Sequence, residues 1–471
     1  MAQGMKLLPL LMAASLFTFP IQATLLTEAE QTQLKLTVYN QDFAVVEDHR
    51  QLSVLNAGEQ VQVQNMSPAI LPETLRIQNA GQILEQGISR SSLNFLSLLQ
   101  AYVGETLNVA RLNTSTGQET ISRVELLSVD GSHALIRREG QIESIPLQTR
   151  EWRFIFPAEL PSNLQGQDSI HFTSAGTEQD STAILSYLTS GLGWKMDYVM
   201  TLDAPGKSLA VEGLASVYNH SGGHFTNAEL RLMAGDINAP DQRQPVMMRA
   251  MAMNDALGSM PEQAAESVQD FYLYRLPHPV SFQPNETKQL PLIQLADVEA
   301  TLRYQHHFSI WPALDQQRHQ AQADISLVFD APKLKDQNAP LPAGQARVFR
   351  PDRQGEMQFI GAANLRNLAT GETAELALGR AFDLNIQRRQ TLFSDGFDSV
   401  TIQQEVTVTN AGNEGRSLDI SVGFQQEWSL RDATHPMKDD GAGKLTGQMH
   451  LPAGGSETLR FTVELKKRIN R

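Results

Sequence analysis

Residues 187–236 read YLTSGLGWKMDYVMTLDAPGKSLAVEGLASVYNHSGGHFTNAELRLMAGD, and this stretch decides the fold class. Val211, Gly213, Ala215 and Val217 fall on one face of a strand, with Glu212 and Ser216 on the other. Leu230 and Leu232 repeat the pattern further on. Side chains of a strand alternate between faces, so a period of two marks a half-buried strand. Between the two runs lies Asn219-His220-Ser221-Gly222-Gly223, a cluster of turn-forming residues. The local reading is an antiparallel pair joined by a loop. Upstream, Ser190-Gly191-Leu192-Gly193 permits a sharp bend before Trp194 and Tyr198, two large amphipathic rings.

The combination Tyr187, Gly191, Trp194, Tyr198, Asn219-x-Ser221-Gly222, Asn227-Ala228 and Ala234-Gly235-Asp236 resembles a domain family of unknown function. That domain forms the C-terminal part of the mucoidy inhibitor A proteins. The chain looks like a stand-alone envelope form without the coiled-coil insert of that group. Leu341-Pro342-Ala343-Gly344 and Gly379-Arg380-Ala381-Phe382-Asp383 extend the resemblance over about residues 180–470, and Val38-Tyr39-Asn40-Gln41-Asp42 more weakly. The resemblance implies a β-rich exported protein and brings no catalytic residue with it. Trp194 and Tyr198 suit either a ligand groove or a sandwich core, the core being the commoner place for such rings. Asp236 suits a metal ligand or an acid, and more readily a turn-capping carboxylate.

The chain has 471 residues, enough for about three domains. Its 38 Lys and Arg stand against 52 Asp and Glu, a net charge of −14. Nucleic-acid binding rests on neutralising phosphates with cations, so the balance argues against it. It also disfavours electrostatic docking on anionic lipid. There is no cysteine. Disulfides, thiolate metal sites, a cysteine nucleophile and a lipobox-type anchor are thereby excluded.

Residues 5–23, MKLLPLLMAASLFTFPIQA, have a basic start, a short apolar run and a small residue at the end. The run is too short to span a bilayer and has the form of a secretory signal, so we expect 1–23 to be a signal peptide. The mature chain is expected in the periplasm or outside the cell, with no transmembrane segment. Strand patterns then fill 24–103, where Leu34, Leu36 and Val38 alternate with polar neighbours. One short helix is expected through Leu93, Leu96, Leu99 and Val103, capped by Ser92 and ended by Gly104. Closely spaced strands punctuated by Gly117, Gly131 and Gly140 predict a small inserted barrel over 104–158, similar to SH3-like or Sm-like folds. It lacks a basic-aromatic surface and reads as a structural module.

A central β domain is expected over 180–315. Inside it, residues 240–268 hold Met247, Met248, Met251, Met253 and Met260. Clustered thioethers suit Cu(I), while a loop resting its methionines on apolar surface is the simpler account. His306 and His307 are neighbours on a strand pattern and point to opposite faces, and His220 and His224 lie in a glycine-rich loop. Neither pair has metal-ligand spacing, so no metal or cofactor is expected. Residues 316–471 form a second β region, where Leu418, Ile420, Val422 and Phe424 alternate cleanly, resembling an immunoglobulin-like sandwich. Asn56-Ala57-Gly58, Pro342-Ala343-Gly344 and Pro452-Ala453-Gly454 read as turns feeding strands, with glycine taking positive φ. Lys466-Lys467-Arg468 reads as a solvated basic end.

No nucleophile elbow, zinc-protease motif, phosphate loop or dinucleotide fingerprint is present. The expectation is an all-β protein of several sandwich or barrel modules with few short helices. Two functions compete. One is a non-enzymatic exported protein that binds or assembles with another envelope protein or polymer. The other is a hydrolase of envelope polysaccharide, suggested by an acidic chain with Trp194, Trp311 and Trp428 as candidate sugar-contacting rings. Two carboxylates across a groove would be its signature.

Overall fold

The computed structural model describes residues 23–91, 93–158, 167–235, 266–268, 271–334, 337–338 and 340–467. The expected signal peptide, Asp236 and the methionine segment up to 265 lie outside the described residues. The protein is all-β: strand follows strand, with one α-helix and two short 3-10 turns among the described residues. No helix among the described residues is long and apolar enough to cross a membrane.

Three apolar cores organise the chain. The first runs from Leu26 to Leu376 and is filled from two large facing sheets and from a four-stranded one that contributes Val61, Val63, Ile170 and Phe172. One sheet contains Gln31–Tyr39, Phe43–Leu52, Ser181–Ser190 and Phe225–Ala234. The other contains Leu192–Leu202, Ser208–Asn219, the first half of Glu286–Ile310, and Gly344–Pro351. The expected N-terminal and central β domains therefore share one sandwich. The expected boundary at 315/316 is not a break either, because Leu341, Ala346, Val348 and Leu376 belong to this same first core.

The runs around Val211 and Leu230 do not pair with each other. Strand 208–219 pairs with 192–202 and with 286–299. Strand 225–234 pairs in parallel with 31–39 in the opposite sheet. The intervening turn is an arch that carries the chain across the sandwich, not a hairpin. Gly191 does the same one strand earlier, since 181–190 pairs with 43–52 while 192–202 lies in the other sheet. Alternation shows that a strand is half-buried and not which neighbour it takes.

The second core is a C-terminal sandwich. It is joined to the first through two unusually long strands, Glu286–Ile310 of 25 residues and Thr373–Asp395 of 23. Each contributes to both cores: Val298 and Ala300 to the first, Phe308 and Ile310 to the second. The result is one continuous sheet of 13 strands.

The third core is small and inserted. Its sheet orders Gln141–Pro146, His133–Arg138, Glu119–Val129, Thr106–Leu112 and Trp152–Ile155. The two outer strands do not pair, so the expected barrel is an open sheet. The helix Phe95–Ala101 covers it, with Leu99 and Tyr102 entering its core, which removes the need for closure. The helix thus belongs to the insert and not to the N-terminal domain. Its cap is Asn94, in a reciprocal box with Ser97; Ser92 lies outside the described residues. The insert enters and leaves at one point, where Ser91 N donates to Asp168 Oδ1 at 2.5 Å and Ser89 pairs with Ser169.

Candidate functional site

The two arches lie side by side and bring together Gly191, Asn219 and Gly222 of the motif. His220 N donates to Gly191 O at 2.6 Å. Gly191 has φ of 80°, and a Cβ there would sit 2.8 Å from the backbone of His220 and Ser221. Asn219 is fully buried. Its amide donates to the carbonyls of Gly223 and Gln283 at 2.7 and 3.0 Å, and its Oδ1 accepts from Ser221 N and Oγ at 3.1 and 2.7 Å. One side chain thus satisfies a buried turn whose main chain has no strand partner. Gly222 has φ of 80° and faces Pro68.

The aromatic motif residues are in the first core. Trp194 donates to Met233 O at 3.0 Å, and Tyr198 to Pro342 O at 2.7 Å. Tyr274 donates to Pro340 O at 3.0 Å, so two phenols hold the 340–344 turn from below. Burial pushes the pKa of both tyrosines up. Gly344 does not take positive φ as the turn reading expected. It is required because a Cβ would meet Met196 O at 2.3 Å, where strand 344–351 pairs in parallel with 192–202. Asn227 has φ of 51° at a bulge, with its N–H on Ser281 Oγ at 2.9 Å. Gly235 O accepts from Gln41 Nε2 at 3.0 Å. Asp236 lies outside the described residues.

Tyr187 closes a buried charge cluster. Its hydroxyl accepts from Ser67 N at 3.3 Å, and burial, then the nearby Asp48 carboxylate, raise its pKa. Arg50 is 0% exposed. Its Nε bonds both Asp48 oxygens at 3.0 Å, its Nη2 bonds Asp48 Oδ2 at 2.7 Å and Gln64 O at 3.3 Å, and Nη1 reaches Thr27 O. Every nitrogen of the guanidinium is therefore satisfied by the protein, which marks a structural pair.

Among the described residues, no three His, Asp or Glu side chains converge on a common point. His306 packs beside Phe308 at 5.6 Å, and burial lowers its pKa. His307 points the other way, its Nδ1 3.4 Å from Ser421 Oγ. His220 stacks near Tyr218 at 5.1 Å, whereas His224 faces Glu28 at 3.4 Å.

The open site is elsewhere, on the outer face of the C-terminal sandwich. Strand 286–310 pairs in parallel with Arg416–Phe424, which pairs with Lys444–Leu451, which pairs with Met437–Asp439. The register sets Gln305, Asp419 and Gln448 in one row across the face. Ser421, Thr446 and Lys438 make the next row. Arg303 stands one outward position before Gln305, and Glu375 reaches in from strand 373–395. Together they line a groove of about 610 Å³. Arg303 lies between the two carboxylates, 3.8 Å from Glu375 and 3.6 Å from Asp419. Gln305 donates to Glu375 at 2.5 Å and Gln448 to Asp419 at 2.9 Å.

Compared with models of known protein families and with curated proteins, the chain matches none. The functional reading therefore rests on the residues themselves.

Sequence reasoning missed this groove because its members come from five strands spread over residues 303–448. The only local signal was a polar alternate position on each strand, which any solvated sheet face shows. The tryptophans it did single out are not there. Trp194 is buried, and Trp428 stacks on Phe424 at 4.7 Å with its N–H on Gly443 O. Trp311 is exposed in the loop after Ile310, outside the groove lining. The basic end is ion-paired rather than merely solvated, with Lys466 on Glu427 and Lys467 on Asp395, both at 2.6 Å.

Hydroxyl–histidine pairs occur without a working relay, among them Ser421–His307, whose histidine has no carboxylate partner among the described residues. Ser417 Oγ is 2.8 Å from His450 Nδ1 and Ser89 Oγ 3.3 Å from His171 Nδ1, but neither histidine has a carboxylate partner among the described residues. Thr434 comes nearest: its hydroxyl is 3.1 Å from His435 Nδ1, and His435 Nε2 is 4.0 Å from Glu457. That last distance is too long for a hydrogen bond. The Thr434 hydroxyl is also tied to the main chain of Arg460 as donor and acceptor.

Proposed function

We propose that this chain is an exported envelope protein that binds or assembles with another envelope component and does not turn over a substrate. The observation that carries the reading is the state of the groove. Arg303, Gln305, Glu375, Asp419 and Gln448 are locked in ion pairs and amide bonds across paired strands, and the one hydroxyl–histidine contact at the groove lining among the described residues, Ser421 with His307 at 3.4 Å, has no carboxylate on the histidine. The secretory form of residues 5–23 supports export.

One observation favours the hydrolase reading: Glu375 and Asp419 share the groove. Arg303 occupies the space between them, where a glycosidic oxygen or attacking water would have to sit. The test is a photo-crosslinking residue at Lys438 in living cells, with the same residue at Lys195 on the first sandwich as control. A reproducible adduct to one envelope component, made from Lys438 and not from Lys195, is the expected result. Shortening of envelope polysaccharide by the purified chain, abolished by Glu375→Gln, would overturn it.

A further inference from the structure

We infer that the groove around Arg303 takes a neutral, polyhydroxylated ligand, a segment of saccharide chain. This rests on the binding reading above and names the ligand class. Charge comes first. Arg303 and Lys438 balance Glu375 and Asp419 within the lining, so the groove offers no net field for an anion or a cation.

Hydrogen-bonding capacity comes second. A carboxylate has about four acceptor sites. Asp419 meets Gln448 and Arg303, and Glu375 meets Gln305 and Arg303, so acceptor positions remain on both. Ser421 and Thr446 add hydroxyls in the next row. Fixed acceptors beside fixed amide and guanidinium donors match neighbouring hydroxyls on a ring, each of which both donates and accepts. The ion pairs also hold these side chains in place before a ligand arrives, which limits the ordering cost of binding.

The groove shape excludes the main rivals. Strand 416–424 is paired on both sides and 444–451 is flanked by Met437–Asp439 along 445–447, so an added peptide strand would meet only the three-residue edge Met437–Asp439. Pro436 and Met437 supply the exposed apolar lining, enough for the C–H face of a sugar ring and not for a lipid tail or an aromatic anchor. Gly447 lets Met437 lie close, with only 3.0 Å from a Cβ position to its Cγ. The volume lies within the range of small-ligand sites, about 300–1,000 Å³.

The test uses the purified chain with cellohexaose, maltohexaose and chitohexaose, read by saturation-transfer NMR and calorimetry. Oligogalacturonate and a tetra-alanine peptide serve as anionic and peptidic probes. At least one neutral oligomer is expected to bind, with affinity that changes little when salt is raised, because no net charge is neutralised. Asp419→Asn and Glu375→Gln are expected to weaken it by about tenfold each, the scale of a hydrogen bond to a charged group. Ser421→Trp fills the groove while leaving the ion pairs in place, and is expected to abolish binding. Thermal melting confirms that each variant is folded. Absence of binding by every neutral oligomer, equal binding by all three variants, or binding confined to the anionic or peptidic probe overturns the inference. A specific envelope adduct alongside no saccharide binding would sink the ligand class and leave the binding reading standing. Cleavage of a bound oligomer would do the reverse.

Discussion

Asp48 and Arg50 lie on strand Phe43–Leu52 among four successive charged or ionisable residues, Glu47 to Arg50, and only the even-numbered ones face the core. Removing one partner leaves the other buried and unpaired, which costs about 3–5 kcal/mol where it has been measured. Asp48→Ala is expected to lower the unfolding free energy read from urea denaturation by an amount in that range, whereas the surface change Lys195→Ala should leave it unchanged. Nothing in the sequence assigns faces within such a run, because alternation of polar with polar carries no contrast. The same blindness hid the Arg303–Asp419 contact. By contrast Leu34, Leu36 and Val38 were legible, since each apolar side chain stands between polar ones and all three are buried. At the same scale, Glu405 is held below the usual glutamate value by hydrogen bonds from Arg389 at 2.6 Å and Arg460 at 2.7 Å. Its contribution is full above 4.5 and is lost as the pH falls through the lowered folded value. His306 acts in the same direction: burial lowers its pKa, so protonation below 6.5 favours the unfolded chain. Melting temperature is expected to fall in two stages on acidification, from near 6.5 and again below 4.5, the first vanishing in His306→Phe.

At the scale of the element, the two arches decide which sheet each strand joins. The run Asn219–Gly223 has the composition of a hairpin loop, and composition alone made it one. The structure differs because the Asn219 side chain substitutes for cross-strand pairing, bonding carbonyls of two separate loops. Gly191 is the tighter of the crossings. An alanine there combines an unfavourable φ with backbone contact at 2.8 Å. Gly191→Ala is expected to destabilise by more than about 2 kcal/mol, read from urea unfolding, whereas Gly58→Ala at an open turn should cost about 1 kcal/mol. Equal effects at both positions would show that the crossing does not need its close approach.

For the whole molecule, the all-β class was legible from alternation and turn chemistry, and the partition into units was not. Runs of alternation and their glycine-marked spacing suggest boundaries near 103, 158 and 315, yet the first core draws on residues from 26 to 376. Long-range pairing such as Met196 with Gly344 leaves no local trace. The insert is the part that stands apart, with its own core and with entry and exit hydrogen-bonded together. Joining Ser91 to Gln167 through a short glycine linker is expected to leave the remaining sandwiches folded, with a single cooperative melting transition and the near-ultraviolet signature of Trp194 retained. Collapse of that signature would mean the insert supports the first core.

The 25-residue strand Glu286–Ile310 has a mechanical consequence. Extended backbone rises about 3.3 Å per residue, so the strand reaches about 80 Å at most, shortened by bulges near Pro291 and at Asp297, where φ is 56°. No linker separates the sandwich at one end from the groove at the other. Pulling on either would load hydrogen bonds in shear along the shared sheet instead of peeling a hinge open. Whatever is gripped at the two ends is therefore joined through continuous paired strand, bulged at Asp297, and not through a tether.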